Sequence, residues 1–182
     1  MARIPYPDAQ TMQPEIADRL KRLGSLNVTR IMAHAPGLMV AYSKLGTQLL
    51  RDGVLDAITR ELVILRIGVL SESEYEWHQH ISIAKAIDMP QAKIDAMRSG
   101  DLSALSEREA IAVRFAEQTK LDGRVGDEIF AQAQALYSAA ELVELSLLAG
   151  FYTMTAGCLR NFDVEIEDTP PLGDTMKMSE LI

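Results

Sequence analysis

Ala57-Ile58-Thr59-Arg60-Glu61-Leu62-Val63-Ile64-Leu65-Arg66-Ile67-Gly68-Val69-Leu70 is apolar almost all round, with Arg60, Glu61 and Arg66 its charged residues. A helix of that kind belongs in an interior or at a subunit interface rather than on a solvated surface. Asp52-Gly53 closes the segment before it, and Asp56-Ala57-Ile58-Thr59 leads into it. Upstream, Pro14-Glu15-Ile16-Ala17 opens a first helix that Gly24 ends, Asn27 to Met32 forms a short second one, and Pro36 to about Leu50 a third. Downstream, Ser73 or Glu74 caps a helix to about Asp88, and Pro90 starts a short one ending near Gly100. Ser106-Glu107-Arg108-Glu109 and Ser138-Ala139-Ala140-Glu141 are capping-box patterns. They open helices to about Leu121 and about Leu159, with another from Val125 to Tyr137 between them. Aromatic residues make up only 5% of the chain and few runs alternate with period two, so the expected class is all-α.

With 182 residues, 48% hydrophobic and 24% charged, the composition is that of one soluble globular domain, placed over residues 1–163. After Asp163 the pattern is lost among Glu165, Glu167, Asp168, Pro170, Pro171 and Gly173, and residues 164–182 are expected to form an extended or partly disordered tail. Glu61-Leu62-Val63 with Leu65 echoes Glu141-Leu142-Val143 with Leu145. That fits either a duplicated helical hairpin or two buried helices with similar starts.

Lys and Arg total 18 against 26 Asp and Glu, a formal charge of −8 that would repel nucleic acid and anionic membranes. Cys158 is the single cysteine, so intramolecular disulfides and Cys-x-x-Cys chemistry are excluded and a reducing compartment is indicated. The N-terminus has no continuous apolar segment of the secretory kind, and the expected location is the cytoplasm. The two most apolar stretches, 61–70 and 141–157, fall short of the roughly 20 clean apolar residues of a bilayer span.

The densest polar cluster is Ser71-Glu72-Ser73-Glu74-Tyr75-Glu76-Trp77-His78-Gln79-His80. On a helix, Ser73, Glu76, His80, Ala84 and Ile87 share one side with Ile83 beside them, while Tyr75, His78 and Ser82 lie mostly on the other. The apolar members mark the first side as core-facing, so Glu76 and His80 should point inward, where such groups are costly unless paired or used. Four residues apart, they can meet. A nearby carboxylate raises an imidazole's pKa while desolvation lowers it, and the balance can poise histidine for proton transfer. A buried pair that only ties helices together fits the same spacing.

Metal binding is disfavoured, because histidines two apart on a helix diverge by about 200°. Glu61 fits either an ion pair with Arg60, Arg66 or a more distant arginine, or a second acid or base. His34, before Ala35-Pro36, either caps a helix end or touches ligand. No nucleophile elbow surrounds Ser73, and the nine methionines read as core and interface filler.

Thr59-Arg60-Glu61-Leu62-Val63-Ile64-Leu65-Arg66, Glu74-Tyr75-Glu76-Trp77-His78-Gln79-His80, Glu141-Leu142-Val143-Glu144-Leu145 and Gly150-Phe151-Tyr152 together resemble the carboxymuconolactone decarboxylase family, within the alkylhydroperoxidase D-like superfamily. The resemblance spans about Asn27 to Glu165. It implies an all-helical fold assembling into trimers or hexamers, with active sites near subunit contacts. Peroxidase members carry Glu, a Cys-x-x-Cys pair and His, and Glu61 and His80 match the outer two, while Ser73 and Glu76 stand at the cysteine positions. Without a thiolate, thiol peroxidase chemistry has no nucleophile. The decarboxylase branch has Glu-x-x-x-His where Glu76 and His80 stand.

The resemblance implies a cofactor-independent lyase that decarboxylates a small carboxylated lactone or related intermediate of aromatic degradation. His80 would donate the proton, Glu76 orient it and Glu61 assist. Tyr75, Trp77, His78, Ser73 and His34 are the expected substrate contacts, and Arg30, Arg60, Arg66 or Arg160 the countercharge for a substrate carboxylate. No metal and no cofactor is expected. The alternatives are a lactone isomerase or hydrolase using the same Glu-His pair, and a non-catalytic oligomeric ligand-binding protein.

Overall fold

The computed structural model describes residues 2–8 and 10–175. Within them every regular element is helical: α1 (Pro14–Arg22), α2 (Asn27–Met32), α3 (Pro36–Arg51), α4 (Ala57–Leu70), α5 (Glu74–Ala86), α6 (Gln91–Ser99), a 3-10 turn (Leu102–Ala104), α7 (Glu107–Asp122), α8 (Asp127–Leu136), α9 (Ala139–Asn161) and α10 (Leu172–Thr175). The starts follow the caps. Pro14 and Pro36 occupy first-turn positions, Asp56 accepts from the Thr59 N–H at 2.9 Å, and Ser106 and Ser138 both close reciprocal capping boxes with Glu109 and Glu141. Gly100 and Gly123 end α6 and α7 in the left-handed conformation that glycine adopts without strain.

α4 lies between two hydrophobic clusters. Val63, Ile64 and Ile67 face Ile111 and Phe115 of α7 and Leu145, Leu148 and Phe151 of α9. Leu62 and Leu65 face Ile83 of α5, Ile94 and Met97 of α6, and Val113 of α7. Leu62 to Leu65 are all 0% exposed, which explains why the segment can be apolar on every side. Each such side chain contributes roughly 1.5–3 kcal/mol by leaving water. α9 is long and apolar enough on composition to cross a bilayer, but here Leu145, Leu148, Phe151, Tyr152 and Leu159 pack into the protein.

The two Glu-Leu-Val starts differ in register. Glu141 is the third residue of α9 and closes its cap, whereas Glu61 is the fifth of α4 and fully buried.

Residues 164–171 have no regular secondary structure, bend at 168–169 and pass beside α2 and α5 before α10. Glu165 accepts from the Ala2 N–H at 2.9 Å and the Tyr6 hydroxyl at 2.7 Å. Glu167 accepts from the Asn27 N–H, the Tyr75 hydroxyl and, at 2.8 Å, Gln79 Nε2. The Leu172 N–H donates to Gln79 Oε1 at 2.9 Å. Residues 176–182 of the expected tail lie outside the described residues.

Candidate active site

Because α4 and α5 pack closely, Glu61 meets His80 although 19 residues separate them. The two helices touch at Gly68, where an added Cβ would stand 3.4 Å from the Glu76 Cβ, an ordinary contact. Ser73 caps α5 by accepting from the Glu76 N–H at 3.4 Å, which sets the helix phase and turns Glu76 and His80 inward.

His80 Nδ1 lies 2.8 Å from Glu61 Oε2, and its Nε2 lies 3.6 Å from Glu76 Oε2. Helix spacing alone made Glu76 the orienting partner of His80. The distances give that place to Glu61, a tertiary neighbour, with Glu76 on the other ring nitrogen. Arg60 Nε donates to Glu61 Oε1 at 3.1 Å, and the Tyr152 ring meets the imidazole edge-on with centroids 4.9 Å apart. Glu61, Glu76 and His80 are all buried, at 0%, 5% and 3% exposure.

Burial sets the electrostatics of this cluster. Desolvation pushes the Glu76 carboxyl from 4.5 up to about 7, helped by the negative charge of Glu61 and opposed by His80. Burial would lower the pKa of His80, but the charge and hydrogen bond of Glu61, with the charge of Glu76, outweigh it and raise it. Burial likewise opposes ionising Glu61, yet His80 and Arg60 together hold its carboxyl below the ordinary range. One carboxylate is thus fixed as an anion while the other exchanges its proton near neutrality.

Glu76 and His80, with Glu61 behind them, form the floor of a cavity of about 490 Å³ walled by Tyr42, Gly46 and Leu50 of α3, Val28 of α2, Tyr75 and Gln79 of α5, and Phe151 and Tyr152 of α9. Tyr42 stacks on Phe151 at 4.7 Å. Gly46 leaves room for that ring, since a Cβ there would sit 3.2 Å from Phe151 Cζ. Burial raises the hydroxyl pKa values of Tyr42, Tyr75 and Tyr152, so all three stay neutral. Leu172 closes one side, and Arg22 and Arg51 bring cations to the lining. Each arginine also pairs with an exposed aspartate, Asp18 at 3.1 Å and Asp52 at 3.1 Å. Exposed pairs of this kind are weak enough to exchange for a ligand anion.

Of the expected substrate contacts, Tyr75 lines the cavity and four do not. Ser73 is spent as the α5 cap. Trp77 turns to the opposite side of α5, packing on the second core cluster and under Arg98, whose Cζ is 4.2 Å from its ring centroid. His78 is half-buried outside the lining. His34 is exposed, its Nε2 2.8 Å from the Pro5 carbonyl oxygen, so it holds a helix end to the N-terminal segment.

The expected countercharges are also engaged elsewhere. Arg30 bonds Asn27 and lies over Tyr6, Arg60 bonds Glu61, Arg66 bonds Glu117 and the Met97 carbonyl, and Arg160 bonds Glu72 and the Ser71 carbonyl. Arg22, Arg51, Tyr42, Gln79, Phe151, Tyr152 and Leu172 also line the cavity, and none of them is among the contacts expected from the sequence. Gln79 carried a local signal, one helical turn from Tyr75 on the same stripe, and Phe151 and Tyr152 stand in a segment that resembles the family. Among the described residues no three His, Cys, Asp or Glu side chains are arranged to hold a metal ion.

Residues 36–118 match the family model described as the Carboxymuconolactone decarboxylase family. No curated protein matches the sequence. Among solved structures, the chain is similar to an alkylhydroperoxidase AhpD core, an uncharacterized peroxidase-related protein from Ralstonia eutropha JMP134, with TM-score 0.81, 17% identity and coverage of 92% of this chain and 93% of that one. It is also similar to an uncharacterized peroxidase-related protein from Silicibacter sp. TM1040, with TM-score 0.74, 14% identity and coverage of 91% and 88%. At these identities the likeness establishes an AhpD-like all-α fold.

Proposed function

The chain belongs, over residues 36–118, to the carboxymuconolactone decarboxylase family, and on that basis we propose that it is a cofactor-independent lyase that decarboxylates a small carboxylated lactone or a related intermediate of aromatic degradation. The observation that carries this reading is the His80-Glu76 pair on the floor of a largely apolar cavity, with Glu61 bonded to His80 from behind. In such a substrate the bond to the carboxyl carbon breaks, carbon dioxide leaves, and the electron pair passes into the conjugated carbonyl as a dienolate. An apolar wall of Tyr42, Leu50, Phe151 and Tyr152 favours that charge-dispersing step over the localised carboxylate. His80 then gives its Nε2 proton to carbon. Glu61 holds the imidazole through Nδ1 and stabilises its charged form, and Glu76, titrating near neutrality, returns the proton. Arg22 and Arg51 take a second anionic group of the substrate at the lining.

Thiol peroxidase chemistry fits poorly. Cys158 is half-buried on α9, outside the cavity lining, and burial pushes its thiol up, away from the reactive thiolate. The assay is mass spectrometry of carboxymuconolactone and a panel of carboxylated lactones with the purified protein and His80→Ala. Wild type releases carbon dioxide, and the variant, folded by circular dichroism, does not. Silence of the wild type across the panel, or normal turnover by the variant, removes the reading.

A further inference from the structure

Away from the cavity, a cleft of about 460 Å³ opens where the ends of α4, α7 and α9 meet the N-terminal segment. Arg3, Lys120 and Arg160 all line it, a concentration of cations on a chain whose formal charge is −8. Their present partners leave much of their donor capacity open. Arg3 donates from one terminal nitrogen to the Asn161 carbonyl at 3.1 Å, and its Nε is 4.0 Å from Asp163 at the same cleft. Arg160 donates to the Ser71 carbonyl at 3.0 Å and to Glu72 at 2.8 Å. A guanidinium has five N–H donors, so both arginines retain others. Half-buried Lys120 has no hydrogen-bond or ion-pair partner among the described residues.

A second observation is independent of charge. Ser71 forms part of the cleft wall and is 5% exposed, and its Oγ is buried without a hydrogen-bond partner. Buried hydroxyls are normally satisfied, and an orphan calls for an explanation. Gly157, in the same wall, leaves open space where a side chain would stand: nothing lies within 4 Å of an added Cβ. The cleft thus combines room, a surplus of cations over Asp163 and Glu72, and one waiting hydroxyl.

We propose that this cleft binds the phosphoryl group of a small soluble phosphomonoester. A tetrahedral dianion supplies enough acceptor oxygens for Arg3, Lys120 and Arg160 together, with one more for the Ser71 hydroxyl. A planar carboxylate offers two oxygens and would leave a donor unmet.

The test is titration calorimetry of the full chain with inorganic phosphate and with glycerol phosphate, on wild type, Lys120→Gln, Ser71→Ala and the exposed control Lys44→Gln on α3. One phosphate binds per chain, Lys120→Gln weakens it about tenfold, Ser71→Ala weakens it less, and Lys44→Gln leaves it unchanged. Thermal unfolding gives a second readout, because Ser71→Ala removes only an unsatisfied group and leaves the melting temperature unchanged or higher. Absence of phosphate binding, equal binding by Lys120→Gln, or equal loss in Lys44→Gln would overturn the site. A marked destabilisation by Ser71→Ala would show its hydroxyl to be engaged already and would also overturn it. Co-sedimentation with vesicles containing phosphatidic acid, without binding of free phosphate, would overturn the soluble ligand.

Discussion

Glu76 strains the fold in a way that can be sized. Burial, assisted by Glu61 and opposed by His80, moves its carboxyl from 4.5 to about 7. The folded protein therefore holds this proton more tightly than the unfolded chain does. The stability it contributes is complete below the unfolded value and is lost as pH rises through the folded one. A separation from 4.5 to about 7, at about 1.4 kcal/mol per unit, comes to about 3 kcal/mol. Glu76→Gln keeps the shape and removes the titration. It should match wild type near the acid end of the range and exceed it by about 3 kcal/mol at about pH 8. Urea unfolding followed by circular dichroism, at constant ionic strength across that range, reads the difference directly. If the variant is no more stable than wild type at the alkaline end, or if its advantage does not shrink toward acid, the account of a buried, unwillingly ionised carboxylate is wrong.

Glu61→Gln should act in the opposite direction. Removing the charge that His80 and Arg60 share breaks a buried pair and costs about 3–5 kcal/mol near neutral pH. Since the Glu61 carboxyl is held below its ordinary value, its stabilisation is present above that value and fades as pH falls, so the deficit narrows in acid. The same variant takes away the strongest upward push on His80, and an NMR titration of the imidazole should show its pKa falling. Tyr75→Phe removes the hydroxyl that donates to Glu167 and accepts from the Val28 N–H. It should cost about 1 kcal/mol, and hydrogen exchange should accelerate over the arm from 164 to 172; unchanged exchange there would count against Tyr75 as its anchor.

The helices were legible because their signals are local. Pro14 and Pro36 mark starts through their fixed φ, Asp56, Ser106 and Ser138 through one or two bonds within a turn, and the all-round apolarity of 57–70 fits the interior place that helix takes between two packed clusters. The inward face of α5 was legible for the same reason, as Glu76 and His80 repeat with Ala84 at helical spacing. The Glu61-His80 bond depends on how closely α4 crosses α5, a tertiary distance that no local pattern in either helix encodes. Trp77 and His78 lie outside the cavity lining because adjacency in sequence is not adjacency on a helix. Arg22 and Arg51 come from the ends of α1 and α3, which only the tertiary fold brings to one opening.

Glu76 occupies a place that should favour its charged form. It is the third residue of α5, where the partial positive charge of a helix N-terminus normally stabilises an anion. Its carboxyl is nevertheless pushed up, so burial and the neighbouring Glu61 outweigh the helix. The family resemblance sets a cysteine at this position in the peroxidase members, where the same helix end would favour a thiolate. Replacing a thiol by a carboxyl removes the nucleophile and leaves a group that both donates and accepts a proton near neutral pH, beside an imidazole that Glu61 has already oriented. In the proposed mechanism a fixed anion, an imidazole and an exchangeable carboxyl stand in series, and the last two line the cavity, where a proton can be passed to a bound substrate. On that proposal the destabilisation at Glu76 has a use: a carboxyl exposed enough to ionise freely would be an anion near neutral pH and would have no proton to return to His80.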